Sequence, residues 1–288
     1  MKHWKNLPNL THRLVDLSIA LVCAFYKFGV QRAHFLHRCN DAGRVINISL
    51  RNTGLSGTLR DLSFSSFPQL EYLDLSLNGL FGTIPSQIGN LSKLSYISLD
   101  SNQLFGKIPL ELSSIEELFL YSNHLNESFP PFLGNLSNIV RLYINNNSLS
   151  SSIPTNIGNL KFLFELDLSN NQLGGSIPLS FGNLSNLARL CLYKNLLIGS
   201  IPSSLGNLKL IDLKLSSNQL TGYIPYSLGN VTSLSSLLLA KNKLYGSLPP
   251  FVGIFTNLRL FHVYDNSLHG SIPREIWNLK SRLPRSEH

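Results

Sequence analysis

Apolar residues recur along most of this chain in one pattern, L-x-x-L-x-L-x-x-N-x-L, with polar residues filling the gaps. Residues 70–90, LEYLDLSLNGLFGTIPSQIGN, show it once, and LSYISLDSNQLFGKIPLEL repeats it with Asn102 in the slot of Asn78. The slot is filled at Asn78, Asn102, Asn123, Asn147, Asn171, Asn195, Asn218, Asn242 and Asn266, in steps of 24, 21, 24, 24, 24, 23, 24 and 24 residues. A further copy starts at Val45 (VINISLRNTGLSGTL) with Thr53 in that slot, which makes ten repeats. In each repeat an L-x-L pair, such as Leu73/Leu75, Ile97/Leu99 or Leu118/Leu120, points one way and its neighbours the other, as on a short strand.

A period of about 20–29 residues with this consensus indicates leucine-rich repeats. One repeat cannot bury its leucines alone, so the repeats are expected to stack at about 4.8 Å per strand into a parallel sheet over a continuous apolar interior. Where the chain turns off each strand, its amides and carbonyls lose their sheet partners. An asparagine side chain, donor and acceptor together, can bond them in its own coil and the neighbouring one. The nine asparagines are therefore read as a structural ladder, with no catalytic part. Gly82, Gly106, Gly175, Gly199, Gly222, Gly246 and Gly270 sit four residues after the asparagine, where a tight bend favours positive φ. Ile-Pro or Leu-Pro follows, as at Ile84-Pro85, Ile177-Pro178 and Leu248-Pro249, and fixes an extended outer segment. Glu127 and Ser151 replace the glycine, and the 21-residue step shortens the outer segment at IPLELSSIEEL, so a distorted convex side is expected there.

Composition narrows the function classes. Apolar residues make up 43% of the chain and charged ones 14%, which suits a large core and argues against disorder. The net charge of +8 belongs to the ends: residues 1–44 hold seven Lys/Arg against two Asp/Glu, and residues 274–288 four against two. The 229 residues between carry thirteen against twelve, so nucleic-acid binding is excluded. Cys23, Cys39 and Cys191 have no C-x-x-C spacing, and His34, His37 and Cys39 lack a fourth ligand, so no metal and no cofactor is expected. The longest apolar run, LSIALVCAF at 17–25, is shorter than the roughly 20 residues of a membrane span. The resulting division is a degenerate N-terminal cap or signal-like segment at 1–44, a solenoid of ten repeats at 45–280, and a truncated tail at 281–288.

The segments GTIPSQIGNL and GSIPSSLGNL resemble the plant-specific leucine-rich repeat. The stretch CNDAGRVINISLRNTGLSGTLRDLSFSSFPQLEYLDL is similar to the start of plant leucine-rich-repeat receptor-like kinase ectodomains, above all the group that interacts with the male-discoverer receptor. The resemblance covers about residues 39–280. It implies an α/β solenoid, a right-handed superhelix with the parallel sheet on its concave face and a short extra strand around the Ile-Pro. Three departures stand out. Cys39 matches the second cysteine of the family's paired-cysteine cap, while Arg32 stands where the first belongs. HWKNLPN at 3–9 is similar to the family's cap helix, but residues 10–38 match nothing in it. The chain ends at NLKSRLPRSEH, partway through a coil, and reads as a truncated ectodomain with no kinase in it.

Sequons occur at Asn9, Asn47, Asn90, Asn126, Asn135, Asn146, Asn183 and Asn230, and those at Asn90, Asn135, Asn183 and Asn230 share the repeated G-N-[LV]-[ST] slot on the outer side. Their recurrence, with the resemblance, implies glycosylation and residence outside the cell, in the apoplast or at the plasma membrane as part of a receptor. Phosphate-loop, nucleophile-elbow, zinc-protease and kinase motifs are absent, so the chain is read as non-catalytic.

Recognition then falls to the inner wall. The column between each L-x-L pair reads Ser49, Asp74, Ser98, Phe119, Tyr143, Asp167, Cys191, Lys214, Leu238, His262. The next column reads Arg51, Ser76, Asp100, Tyr121, Asn145, Ser169, Tyr193, Ser216, Ala240, Tyr264. Phe119, Tyr121 and Tyr143 with Arg141 form one expected binding cluster, and Arg189, Tyr193 and Lys194 a second, because aromatic side chains beside cations suit peptide recognition. Cys191 reads as an incidental thiol. The resemblance implies a peptide ligand or co-receptor on this face; the R-x-R pair that some relatives use for a peptide carboxylate does not occur. Two other readings stay open: a secreted inhibitor of cell-wall polygalacturonases, and an incomplete product of a receptor-kinase gene, with membrane contact only through segments the chain lacks.

Overall fold

The computed structural model describes residues 36–112 and 114–279. The expectations placed on residues 1–35 and 280–288, including the cap-helix segment, Asn9, His34 and the tail, lie outside them. The chain forms two compact units, divided between Glu127 and Ser128, and each is built of stacked coils.

In the first unit the inner strands Val45–Ser49, Tyr72–Asp74, Tyr96–Ser98 and Glu117–Phe119 run parallel and in register, with Ile48, Leu73, Ile97 and Leu118 side by side. The strand Leu36–Cys39 pairs antiparallel with Val45–Ser49, so the edge of the first repeat is covered by backbone of opposite direction. Nothing in the repeat pattern announces that strand. An outer ladder joins Ser56–Thr58, Gly79–Thr83, Gln103–Gly106 and His124–Leu125. The short step between Asn102 and Asn123 has a local cause: described residues 107–115 lack the five-residue 3-10 turn found elsewhere, as at Ser86–Asn90.

The second unit carries inner strands Arg141–Tyr143, Glu165–Asp167, Arg189–Cys191, Asp212–Lys214, Ser236–Leu238 and Leu260–His262, again parallel and in register. Its outer ladder is complete from Ile198–Ser200 to Ser267–Leu268. Before that it thins to single bridges at Ser128 with Ser150 and Ser152 with Gly174, next to the two residues that replace glycine. Ser151 takes the bend with φ 73°, whereas Glu127 does not adopt positive φ. The helical pieces of both units are 3-10 turns of three to six residues, and no longer helix occurs among the described residues.

The L-x-L leucines form the interior: Leu73, Leu118, Leu142, Leu166, Leu190, Leu213 and Leu237 are at most 1% exposed. All seven predicted glycines have φ between 70° and 87°. A second left-handed position was not anticipated. The residue before the slot asparagine, such as Leu77, Ser101, Lys194 or Asp265, has φ of 53–58° in every repeat, although none of these residues is glycine.

The G-N-L glycines serve a different need. A Cβ on Gly158 would lie 2.4 Å from the Ser180 carbonyl oxygen, and one on Gly206 would lie 2.3 Å from that of Ser227. Successive 3-10 turns approach too closely for any side chain. The neighbouring hydroxyls stitch the same seam: Ser180 Oγ donates to Thr155 O at 2.5 Å, and Ser204 Oγ to Leu179 O at 2.8 Å.

Candidate functional site

The asparagine ladder decides which side chains remain for function. Asn102 Nδ2 donates to Leu99 O and Asp100 O in its own coil and to Leu75 O in the preceding one, while its Oδ1 accepts Leu80 N–H at 3.0 Å. Asn78, Asn123, Asn171, Asn195, Asn218, Asn242 and Asn266 repeat that geometry, and Asn147 Nδ2 donates to Ile144 O and Asn145 O. Thr53, in the same slot, keeps one of these bonds by donating its hydroxyl to Leu50 O at 2.8 Å. Amides and leucines are consumed by the stack itself. The inner wall holds what is left.

On the wall of the first unit, register sets Tyr72 beside Tyr96 and Ser98 beside Phe119. The two tyrosine rings stack with centroids 4.1 Å apart and planes within 10°, and Phe119 leans on Tyr96 at 5.4 Å. Burial, then the hydrogen bond with Tyr72, pushes the Tyr96 phenol well above its ordinary range. Tyr121 is raised as well, by burial first and then by its hydrogen bond to Asp100. Serines hold the carboxylates: Ser76 donates to Asp74 through Oγ (2.6 Å) and N–H (3.0 Å), and Ser98 Oγ donates to Asp100 at 2.5 Å. Arg51 donates to Ser76 Oγ at 2.9 Å. Of this group, Phe119 and Tyr121 were anticipated. Tyr72 and Tyr96 were not anticipated: they stand 24 residues apart in a third column, one residue before the L-x-L pair, and only register sets their rings together.

That third column carries the charge on the second unit. Glu165, only 4% exposed, receives Arg189 Nη1 at 2.5 Å and faces Arg141 Nε at 3.9 Å; Arg189 Nε also reaches Asp212 at 3.3 Å. Tyr143 donates its hydroxyl to the same Glu165 carboxylate, and burial first, then that bond, raises its phenol. The expected clusters are therefore rearranged. Arg189 is committed to the carboxylates on either side of it and does not stand as a free cation beside Tyr193. Tyr193 is half-buried two columns away, and Lys194 is exposed at the left-handed corner, φ 53°. Phe119 and Tyr121 belong to the first unit, Arg141 and Tyr143 to the second.

Cys191 is free and 9% exposed, and burial, assisted by Asp167, pushes its thiol up to about 12, so it is a poor nucleophile at neutral pH. Cys39 is in a disulfide, which removes it as a metal ligand. Among the described residues no group of three His, Cys, Asp or Glu side chains could hold a metal ion, and no helix is long and apolar enough to cross a membrane.

Comparison with known proteins agrees with this architecture. The Leucine Rich Repeat family model matches residues 69–91, 114–136, 138–160, 162–184 and 209–231. A stretch of 51 residues is 47% identical to MDIS1-interacting receptor like kinase 2 of Arabidopsis thaliana, spanning 18% of this chain and 5% of that protein. The receptor chain in the crystal structure of PEPR1 with AtPEP1 superposes with a TM-score of 0.75 at 36% identity, over 85% of this chain and 38% of the receptor. A plant ice-binding protein gives a TM-score of 0.69 at 30% identity, over 83% of this chain and 78% of its own. This chain thus spans well under half of the receptor and receptor kinase it matches. A solenoid of this kind is non-catalytic, its side chains consumed by stacking or presented on a wall for contact. The chain belongs to the leucine-rich-repeat proteins, and it is similar both to plant receptor kinases and to a plant ice-binding protein.

Proposed function

We propose that the chain is a recognition module of a plant receptor-like kinase, binding an extended peptide, alone or together with a co-receptor protein, on its inner walls. One observation carries this reading. The inner walls leave half-exposed aromatic and charged side chains in registered columns, neighbours within a column about 4.8 Å apart, while the apolar interior and the asparagine amides are fully engaged. Extended backbone laid across such columns meets a new side chain at each strand, which is how aromatic-rich surfaces gain affinity at few positions. The contact residues are Phe119 and Tyr121 on the first unit, and Arg141, Tyr143, Arg189, Tyr193 and Lys194 on the second. Arg141 and Arg189 act there as parts of the Glu165 network. The module works outside the cell, and the receptor's kinase lies elsewhere in the parent protein.

The test is an alanine series at Tyr121, Tyr143 and Tyr193, scored against a peptide library with correctly folded variants. At least one tyrosine should cost tenfold or more in Kd, about 1.4 kcal/mol. Binding that survives unchanged in every variant would remove the inner walls as the site. Sequencing the transcript beyond the codon for His288 tests whether a kinase is encoded with this module.

A further inference from the structure

We propose that the wall of the second unit binds a carboxylate of the ligand at Ser216, with Lys214 beside it and the corner lysines Lys194 and Lys241 on either side. This rests on the reading of the inner walls as peptide-binding surfaces and adds the chemistry that one position selects.

At Ser216 the wall is incomplete. Among the described residues Asn145 Oδ1, Asn156 Oδ1 and Ser216 Oγ are buried side-chain atoms with no hydrogen-bond partner. A stable stack seldom leaves such an atom, because its lost hydration goes uncompensated. Asn156 lies in an outer 3-10 turn, whereas Asn145 and Ser216 both stand in the inner-wall column that follows the L-x-L centre. The cause at Ser216 is visible in its own strand. In other coils the serine of this column has an acceptor two residues earlier: Ser76 Oγ donates to Asp74 and Ser169 Oγ to Asp167, each at 2.6 Å. In the coil of Asn218 that position is Lys214, so the clamp keeps its donor and has a cation where the carboxylate belongs.

The charge around the gap has one sign. Lys214 is half-buried, and Lys194 and Lys241 are exposed at the left-handed corners of the two adjacent coils, φ 53° and 57°. None of the three makes an ion pair among the described residues. The carboxylates closest in the register are engaged: Asp212 holds Arg189, and Asp167, two strands away, accepts both Ser169 donors. Asp265 is an exposed corner residue one coil beyond Lys241. A ligand carboxylate supplies what the coil lacks, accepting from Ser216 Oγ and neutralising Lys214. Ser216 as a residue is half-exposed, and Lys214 stands beside it on a flexible four-carbon stem that moves with the incoming group. Hydrogen bonds to an ionised acceptor are roughly twice as strong as neutral ones, which favours a carboxylate over an amide here.

The experiment titrates the whole chain with fluorescent peptides of matched length and apolar content in four sets. These are acidic side chains with an amidated C-terminus, neutral side chains with a free C-terminal carboxylate, neutral and amidated, and basic and amidated. At least one carboxylate-bearing set should bind tenfold or more tighter than the neutral amidated set and weaken as salt is raised. Which of the two does so identifies the carboxylate as side-chain or terminal. Ser216→Ala removes a hydroxyl that has no partner, so the urea midpoint should hold while carboxylate-set affinity falls about tenfold. Lys214→Asp rebuilds the internal clamp and should abolish the preference, leaving the neutral amidated set unaffected. Lys243→Ala, on the outer ladder of the same unit, should change nothing. Circular dichroism confirms folding of each variant. A neutral or basic preference that responds to Tyr143→Ala overturns this proposal and leaves peptide recognition standing. A carboxylate preference indifferent to Ser216→Ala and Lys214→Asp also overturns it. If no set binds, both readings fall.

Discussion

At Asn195 a single side chain meets four backbone groups: it donates to Leu168 O, Leu192 O and Tyr193 O and accepts Leu173 N–H. Asn195→Ala strands those groups in the interior at about 1–3 kcal/mol each, moderated where water can enter, so urea unfolding should show a loss of about 3 kcal/mol. A change below 1 kcal/mol would contradict the ladder's role. Asp167 offers a test in pH. Burial raises its carboxyl above the ordinary aspartate range, with the two Ser169 hydrogen bonds pulling the other way. The folded protein thus keeps that proton to higher pH than the unfolded chain. This contribution is present below the ordinary aspartate value of about 3.9 and is lost as pH rises through the raised one. Asp167→Asn should flatten that fall in a Tm-versus-pH series, and an identical slope would count against it. Cys191, raised to about 12, should resist a thiol reagent at pH 8 in the native protein and react only on unfolding. The asparagine slot was legible because it recurs in sequence. The serine clamps of Asp74 and Asp167 repeat as D-L-S and were equally visible, yet their meaning needs the strand that brings Asp and Ser onto one face.

Elements in this protein are defined by what the adjacent coil permits. Three-residue strands and five-residue 3-10 turns have no stability of their own, and their register is set by the stack. The seam of G-N-L glycines shows it best. Gly206→Ala places a Cβ 2.3 Å from backbone and should cost about 1–3 kcal/mol, whereas Gly174→Ala, with nothing within 4 Å of its Cβ, should stay within about 0.5 kcal/mol. Equal effects at both sites, measured by denaturant midpoint, would show that the seam is not tightly closed. The left-handed corner before each asparagine lay beyond sequence reading because its occupants share no chemistry. Leucine, serine, lysine and aspartate all adopt φ near 55° there, at about 1–2 kcal/mol each, because the chain must turn off the strand at that point.

For the molecule as a whole, the exposed 3-10 turns carry the recurrent sequons. Asn90, Asn135, Asn183 and Asn230 each end such a turn and are exposed, as are Asn126 and Asn146, while Asn47 is half-buried within an inner strand. Plant-expressed protein should therefore lose mass on glycosidase treatment, with occupancy at the four turn positions. An unchanged intact mass would argue against secretion. These four sequon-bearing turns and the inner strands occupy different segments of each coil, so a glycan on them would stand clear of the inner-wall columns.

Period, slot and glycine spacing in the sequence determined the coil, its parallel sheet and the closed leucine interior, because a repeating unit has one way to bury a repeating apolar face. Tertiary structure alone decided which wall side chains remain for a ligand. Arg189 read as a cation beside Tyr193 until registered strands set it between Glu165 and Asp212, and the pairing of Tyr72 with Tyr96 emerged only when the same register stacked them. Side chains some 24 residues apart meet only when coils align, and no local pattern records that meeting.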